Sequence, residues 1–177
     1  MTELANIRQV SPEVFYSDGQ FRAVGAETCD VLKAQAALSP RRRCRLCFHA
    51  EPSDRQQEML IAMHRTSYVR PHRHRSRLET LAIFEGRCET LLFDERGTLT
   101  DRIPMSAPQA GGAFFYRMPA GLFHTLSFSS DWLIFLETTT GPFDPTDTEG
   151  AAWAPPESDP DAGHAFLARL LQSCQGG

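Results

Sequence analysis

Between Arg70 and Gly86 the sequence reads RPHRHRSRLETLAIFEG, and His72, His74 and Glu79 in this stretch have the chemistry of metal ligands. Side chains two apart on a strand leave the same face, about 7 Å apart along the backbone, so His72 and His74 can aim both imidazoles at one ion. The four residues RSRL allow a turn, and Glu79 then opens a strand whose same-face neighbours are Leu81 and Ile83. A carboxylate at the head of an otherwise apolar face is costly to bury unless a cation meets it. Further along, MPAGLFH turns the chain at Pro119 and Gly121, and His124 starts a strand with Leu126 and Phe128 on its inward side. His124 is therefore expected in the same interior. Three imidazole nitrogens and one carboxylate oxygen suit one divalent transition ion, and octahedral coordination would leave two positions open to water or substrate. An open site fits chemistry better than bracing. The donor set does not distinguish iron, manganese, zinc or nickel. Arg70 shares the parity of His72, and Tyr116 and Met118 share a face leading into MPAGLFH. These three are expected to shape a substrate pocket, with Arg70 receiving an anionic group. No residue stands out as a dedicated catalytic base.

Strands must position these ligands. After one expected helix over Ala26–Leu38, with Val31, Leu32, Gln35 and Leu38 near one face, Thr28 or Asp30 as its cap and Pro40 as its stop, the pattern turns to short strands. They are Arg41–Ala50, Glu58–Val69, Glu79–Glu85, Arg87–Phe93, Leu99–Met105, Ala113–Met118, His124–Ser129 and Trp132–Thr138. DERG at Asp94–Gly97 and PAG at Pro119–Gly121 supply turn chemistry. Short strands at this spacing predict a closed or double-layered antiparallel β architecture. GPFDPTDTEGAAWAPPESDPDAG is too rich in Pro, Gly and acids for regular structure, and is expected to wrap the body with Phe143 and Trp153 as anchors. A last helix is expected over Gly163–Cys174, with Phe166, Leu167, Leu170 and Leu171 in one stripe. The reading is one structural domain of 177 residues. It divides into 1–56 (N-terminal helix and strand), 57–143 (barrel with the metal site) and 144–177 (wrapping tail and helix).

No apolar run is long enough for a membrane span and MTELANIRQV lacks the pattern of a secretory signal, so a cytoplasmic location without membrane contact is expected. The five cysteines then read as free thiols. Cys44 and Cys47 form a CxxC, but strand alternation in RRRCRLCFHA puts the two on opposite faces, where they cannot share an ion. Net charge is −4, yet Met118–Ala168 holds eight acids and no Lys or Arg, while most of the arginines precede Leu78. The halves are placed to attract one another. Arg73, Arg75 and Arg77 read as a solvated face rather than a nucleic-acid surface, and no nucleic-acid partner is expected. His49, His64 and His164 read as ordinary polar residues. Exposed strand edges admit a homodimer. There is no phosphate-binding loop, dinucleotide fingerprint, nucleophile elbow or HExxH.

The two ligand-bearing stretches resemble the paired motifs of the cupin superfamily. HRHRSRLETLAIFEG follows HxHx4Ex6G through His72, His74, Glu79 and Gly86, and PAGLFH follows PxGxxH through Pro119, Gly121 and His124. Thr66, Ala113 and Phe128 replace flanking motif residues. RRRCRLCFHAEPSDRQQEMLIAMHRTSYVRPHRH, LLFDERG, FYRMPAGLFHTL and SDWLIFLETTTGPFDPTDTE further resemble the WbuC family of cupin-fold metalloproteins, which occurs among genes for bacterial surface polysaccharide such as O-antigen. The resemblance implies an all-β cupin jelly-roll β-barrel with an N-terminal helix and a short C-terminal helix, a bound metal and a sugar-related context. The expected function is a metal-dependent enzyme, oxygenase or isomerase, acting on a small polar substrate such as a sugar or sugar derivative. The alternative is a non-catalytic module that binds or senses such a molecule beside its metal.

Overall fold

The computed structural model describes residues 7–18 and 23–173. Along the chain come β1 (Ile7–Ser11), β2 (Val14–Ser17), α1 (Ala26–Leu38), β3 (Arg43–Cys47), β4 (Gln56–His64), β5 (His72–His74) and β6 (Glu79–Glu85). There follow β7 (Arg87–Phe93), β8 (Leu99–Ser106), β9 (Phe115–Met118), β10 (Phe123–Phe128), β11 (Trp132–Thr140), β12 (Thr148–Gly150) and α2 (Pro160–Ser173). Cys174, the expected end of the last helix, lies outside the described residues.

The strands form a seven-stranded sheet, β1-β2-β3-β4-β11-β6-β9, and a five-stranded sheet, β12-β5-β10-β7-β8. All neighbours are antiparallel except β2 and β3. The result is a jelly-roll-like β sandwich with a helix on each outer face. The expected barrel closure is not present: β1 and β9 end one sheet, β12 and β8 the other. The N-terminal β1–β2 hairpin and the short β12 were not expected. β1 and β2 are four or five residues long, and β12 sits in a Pro- and acid-rich stretch, so neither carries enough alternation to announce itself.

The longest pairing, β4 with β11, runs in register from Trp132 opposite His64 to Thr140 opposite Gln56. Both strands carry unbroken apolar runs because both faces are covered. Met59, Ile61, Leu133 and Phe135 face the sandwich interior with Leu81, Ile83, Cys88, Met105 and Leu126. Leu60, Ala62 and Ile134 face outward and pack with Phe15, Cys44 and Leu46 under Leu32 and Ala36 of α1. The buried stripe of α1 is Thr28, Leu32 and Ala36, whereas Leu38, expected on that face, is 80% exposed. Gly25, not Thr28 or Asp30, occupies the helix N-cap. On the other outer face, Leu91, Phe93 and Phe123 pack with Tyr68, Ala151, Ala154 and Leu167 of α2. Trp153 anchors the tail there, its ring centroid 5.0 Å from that of Phe93. Phe143 stays half exposed at a cavity mouth instead of anchoring in a core.

Gly86 carries the chain from β6 in one sheet to β7 in the other, at φ +91°. A Cβ there would lie 2.1 Å from the Trp132 carbonyl oxygen and 2.6 Å from Ser130 Oγ. Backbone strain and overlap add at such a position. Gly86→Ala is therefore expected to cost about 2–4 kcal/mol, read as a lower midpoint in urea unfolding at unchanged slope.

Candidate metal centre

β5 is three residues long and does one thing: it holds His72 and His74 on the inner face while Arg73 points away. Arg73 stacks on the Phe123 ring at 4.4 Å and pairs with Glu149 and Glu95. β10 sets His124 directly across from His72. Glu79 reaches in from β6 of the opposite sheet. The PAG turn is fastened to the same place, since Gly121 N–H donates to the His74 carbonyl at 2.7 Å, with Gly121 at φ +85°. One ligand atom from each of His72, His74, Glu79 and His124 lies within 4.8 Å of all the others. The imidazole centroids are 4.6 to 5.8 Å apart. The structure thus brings together all four residues expected from spacing.

Their orientation is set from behind. His72 Nδ1–H donates to the Arg70 carbonyl and His124 Nδ1–H to the Leu122 carbonyl, each at 2.9 Å. A carbonyl can only accept, so in their neutral form both rings present a bare Nε2 lone pair to the centre, and a proton gained by His124 at Nε2 faces Glu79. His74 is held the other way: Arg77 Nη2, which can only donate, sits 3.2 Å from Nδ1, and Nε2–H donates to Glu79 Oε2 at 2.9 Å. The Thr148 hydroxyl, 3.3 Å from His74 Nδ1, is placed to accept a hydrogen bond from Nδ1–H in the tautomer that frees Nε2 for a cation. Glu79 also accepts from the Tyr116 hydroxyl.

Burial shapes the acidities. Burial and the neighbouring His124 push His72 down to about 4, so it stays neutral. Burial would also lower His124, but the Glu79 carboxylate outweighs it and the group is raised. Burial would raise Glu79, but bonds from His124, His74 and Tyr116 prevail and hold it well below the usual carboxylate range. A buried anion ringed by three imidazoles fits a divalent cation. With bonds of about 2.1 Å, donors on opposite sides of one ion lie about 4.2 Å apart, so small shifts would close these four on it.

His72, His74 and Glu79 line a cavity of about 600 Å³ between the sheets. Arg70 lines it too, with Nε and Nη2 both donating to the Ala151 carbonyl at 3.1 and 2.5 Å. Tyr116 and Met118 are not part of its wall: both lie on β9 beside β6, Met118 opposite Glu79 in register and the Tyr116 hydroxyl bonded to the Glu79 carboxylate. Sequence reading passed over Arg45, Glu137 and Thr139 in that wall. The signal was available, because Glu137 and Thr139 share the inward parity of Leu133 and Phe135 and Arg45 that of Cys47. Glu137 is half-buried and pushed up to about 8 by burial and by Glu79. Cys44 and Cys47 do face opposite sides of β3, and burial raises them to about 12 and about 11.

The arginine-rich stretch is largely neutralised by the acidic tail. Arg77, buried, donates from Nε to Asp147 Oδ2 at 2.8 Å and from Nη2 to Thr148 Oγ1 at 2.7 Å. Arg75 pairs with Glu149, and Arg41 and Arg43 with Glu157. Among the described residues no helix is long and apolar enough to cross a membrane.

A family model described as "Domain of unknown function (DUF6016)" matches residues 24–105, less than half of the chain. No curated protein matches. Solved structures with a similar fold include a protein of Shewanella oneidensis (TM-score 0.47, 15% identity, covering 71% of this chain and 75% of that one). Others are the capsular polysaccharide assembling protein CapF of Staphylococcus aureus (0.45, 17%, 55% and 27%) and oxalate decarboxylase of Bacillus subtilis (0.43, 19%, 55% and 24%). CapF and the decarboxylase are cupin-fold proteins, and the chain spans about a quarter of their length. All three scores are low, so the fold rests on the strand order and registers above and the site on its own geometry.

Asp147 accepts from Ser76 N and Oγ as well as from Arg77. Burial alone would raise its pKa, but these bonds outweigh it and hold Asp147 at about 2, below its ordinary 3.8. The carboxylate form is the one stabilised, so this contribution is complete above 3.8 and fades as the pH falls toward 2. Asp147→Asn is expected to cost about 3 kcal/mol or more at neutral pH by leaving Arg77 buried and unpaired. It should also flatten the acid-induced loss of stability, compared by urea unfolding at neutral and acidic pH.

Proposed function

We propose that this chain is a metal-dependent cupin enzyme acting on a small polar substrate, a sugar or sugar derivative of bacterial surface polysaccharide metabolism. The observation that carries the metal-dependent reading is the convergence of His72, His74, Glu79 and His124, the first three of them in the wall of a cavity of about 600 Å³. That volume suits a small molecule. The sugar context is supported by the sequence resemblance to the WbuC family.

When bound, a divalent ion would supply Lewis acidity for an isomerisation or redox chemistry for an oxygenation. The chain's own residues do the rest. The three imidazoles and Glu79 hold the ion; Thr148 Oγ1 and the Arg70 and Leu122 carbonyls, each near a ring Nδ1, keep the rings aimed. Glu137 stands in the cavity wall without an ion pair among the described residues, next to Thr139 on the same face of β11. Its Oε atoms are placed to take up or return a substrate proton.

Protein purified from unsupplemented cells is expected to carry about one transition ion per chain, with His72→Ala or His124→Ala abolishing it, read by elemental analysis. Iron with substrate-dependent oxygen uptake marks the oxygenase, and zinc or manganese with proton exchange into a ketose or aldose marks the isomerase. Saturable sugar binding without product marks a binding module and overturns the enzymatic reading. Glu137→Gln should retain the ion yet lower turnover about 100-fold or more.

A further inference from the structure

Among the described residues, Arg45 is a cation in the cavity wall without a carboxylate partner. It sits on β3 between Val14 of β2 and Ile61 of β4. Of its five N–H donors, Nη1 approaches only the Met59 sulfur, at 3.7 Å, a weak acceptor. The groups that face it are Tyr16, Cys47, His49 and Glu137, and none forms an ion pair with it. Arg41, Arg43, Arg73, Arg75, Arg77 and Arg102 each have an acidic partner. Arg70 adds a second uncompensated charge to the same cavity, held in place by a neutral carbonyl.

Thr139 supplies an independent observation. Its hydroxyl is buried, at 3% exposure for the residue, and has no hydrogen-bond partner. It lines the cavity, directly opposite Glu79 in the β11–β6 register. Buried hydroxyls are ordinarily satisfied, so this one is kept for something that enters.

We propose that the cavity binds a small hydroxylated anion, its carboxylate or phosphate on Arg45, with Arg70 adding positive charge to the same wall, and a hydroxyl within reach of Thr139 and the four-residue cluster. This rests on the metal-centre reading for the position of the hydroxyl end, and on Arg45 and Arg70 for the anionic end. A partly desolvated guanidinium without a counter-ion is costly, and its planar fork matches the paired oxygens of a carboxylate or phosphate. With a divalent ion in place, the two guanidiniums and the ion outweigh Glu79 and Glu137 even when both are ionised. A neutral sugar would leave that excess unmet, whereas a sugar acid or sugar phosphate meets it.

The test is calorimetric titration of the full chain, zinc-loaded and chelator-stripped, with glycolate, inorganic phosphate and ethylene glycol as probes. Zinc alone is titrated first. At least one anion is expected to bind the zinc-loaded protein about tenfold or more tightly than the neutral glycol, and Arg45→Met to weaken it by about tenfold or more with zinc affinity unchanged. Preference for glycolate identifies a carboxylate and preference for phosphate a phosphoryl group. Arg45→Lys, which keeps charge without the fork, should fall between wild type and Arg45→Met and guards against misfolding of the neutral variant. Equal affinity for anion and glycol, or wild-type anion affinity in both variants, overturns the proposal. If zinc fails to bind, the metal-centre reading falls separately, and the stripped protein decides the anion site by the same comparison of wild type with Arg45→Met.

Discussion

The whole arrangement depends on one costly act, the burial of the Glu79 carboxylate to 4% exposure at the head of an apolar strand. An anion taken out of water needs compensation close at hand. His74, His124 and Tyr116 surround it for that purpose, drawn from three different strands. β6 must therefore face β5 and β10 across the sandwich at one end, while the apolar contacts of Leu81, Ile83 and Phe135 occupy the rest. A cation is the partner that satisfies all four donors together. The carbonyls behind His72 and His124 confirm the orientation by leaving their Nε2 lone pairs turned inward.

A second constraint is the uneven placement of charge along the chain. Acids in the tail meet arginines from the first half: Asp147 on Arg77, Glu149 on Arg73 and Arg75, Glu157 on Arg41 and Arg43. The inner contact, Arg77 with Asp147, is buried, and Arg77 also reaches His74. The tail thereby lends rigidity to a metal ligand, and its short strand β12 completes the sheet beside β5. Of the arginines in the cavity wall, Arg43 and Arg77 have acidic partners, whereas Arg45 and Arg70 have none among the described residues.

Much of this was legible in order along the chain. Two residues of spacing put His72 and His74 on one face, the turn residues Pro119 and Gly121 announced the entry of His124, and alternation separated Cys44 from Cys47. The α1 boundaries, Ala26 and Leu38, followed from periodicity and Pro40. The exposed Leu38 shows the limit of that method: a helix buries the stripe that its sheet admits, here Thr28, Leu32 and Ala36, and small side chains allow the closer approach. Glu137 shows another limit. Its inward parity was readable, but whether an inward position meets packed core or open cavity depends on what the opposite sheet supplies.

The sequence by itself determined the ligand types, their faces, the strands that carry them and the glycine turns, because each is a local property with a period of two or a fixed backbone angle. Only the tertiary structure decided that β5 and β10 lie side by side across from β6, that two open sheets rather than a closed barrel enclose the cavity, and which arginines find acids. Those outcomes depend on strand order and on contacts between residues as much as 116 positions apart, as between Arg41 and Glu157. No local pattern encodes them, since pairing of distant strands is selected by the packing of the whole sandwich.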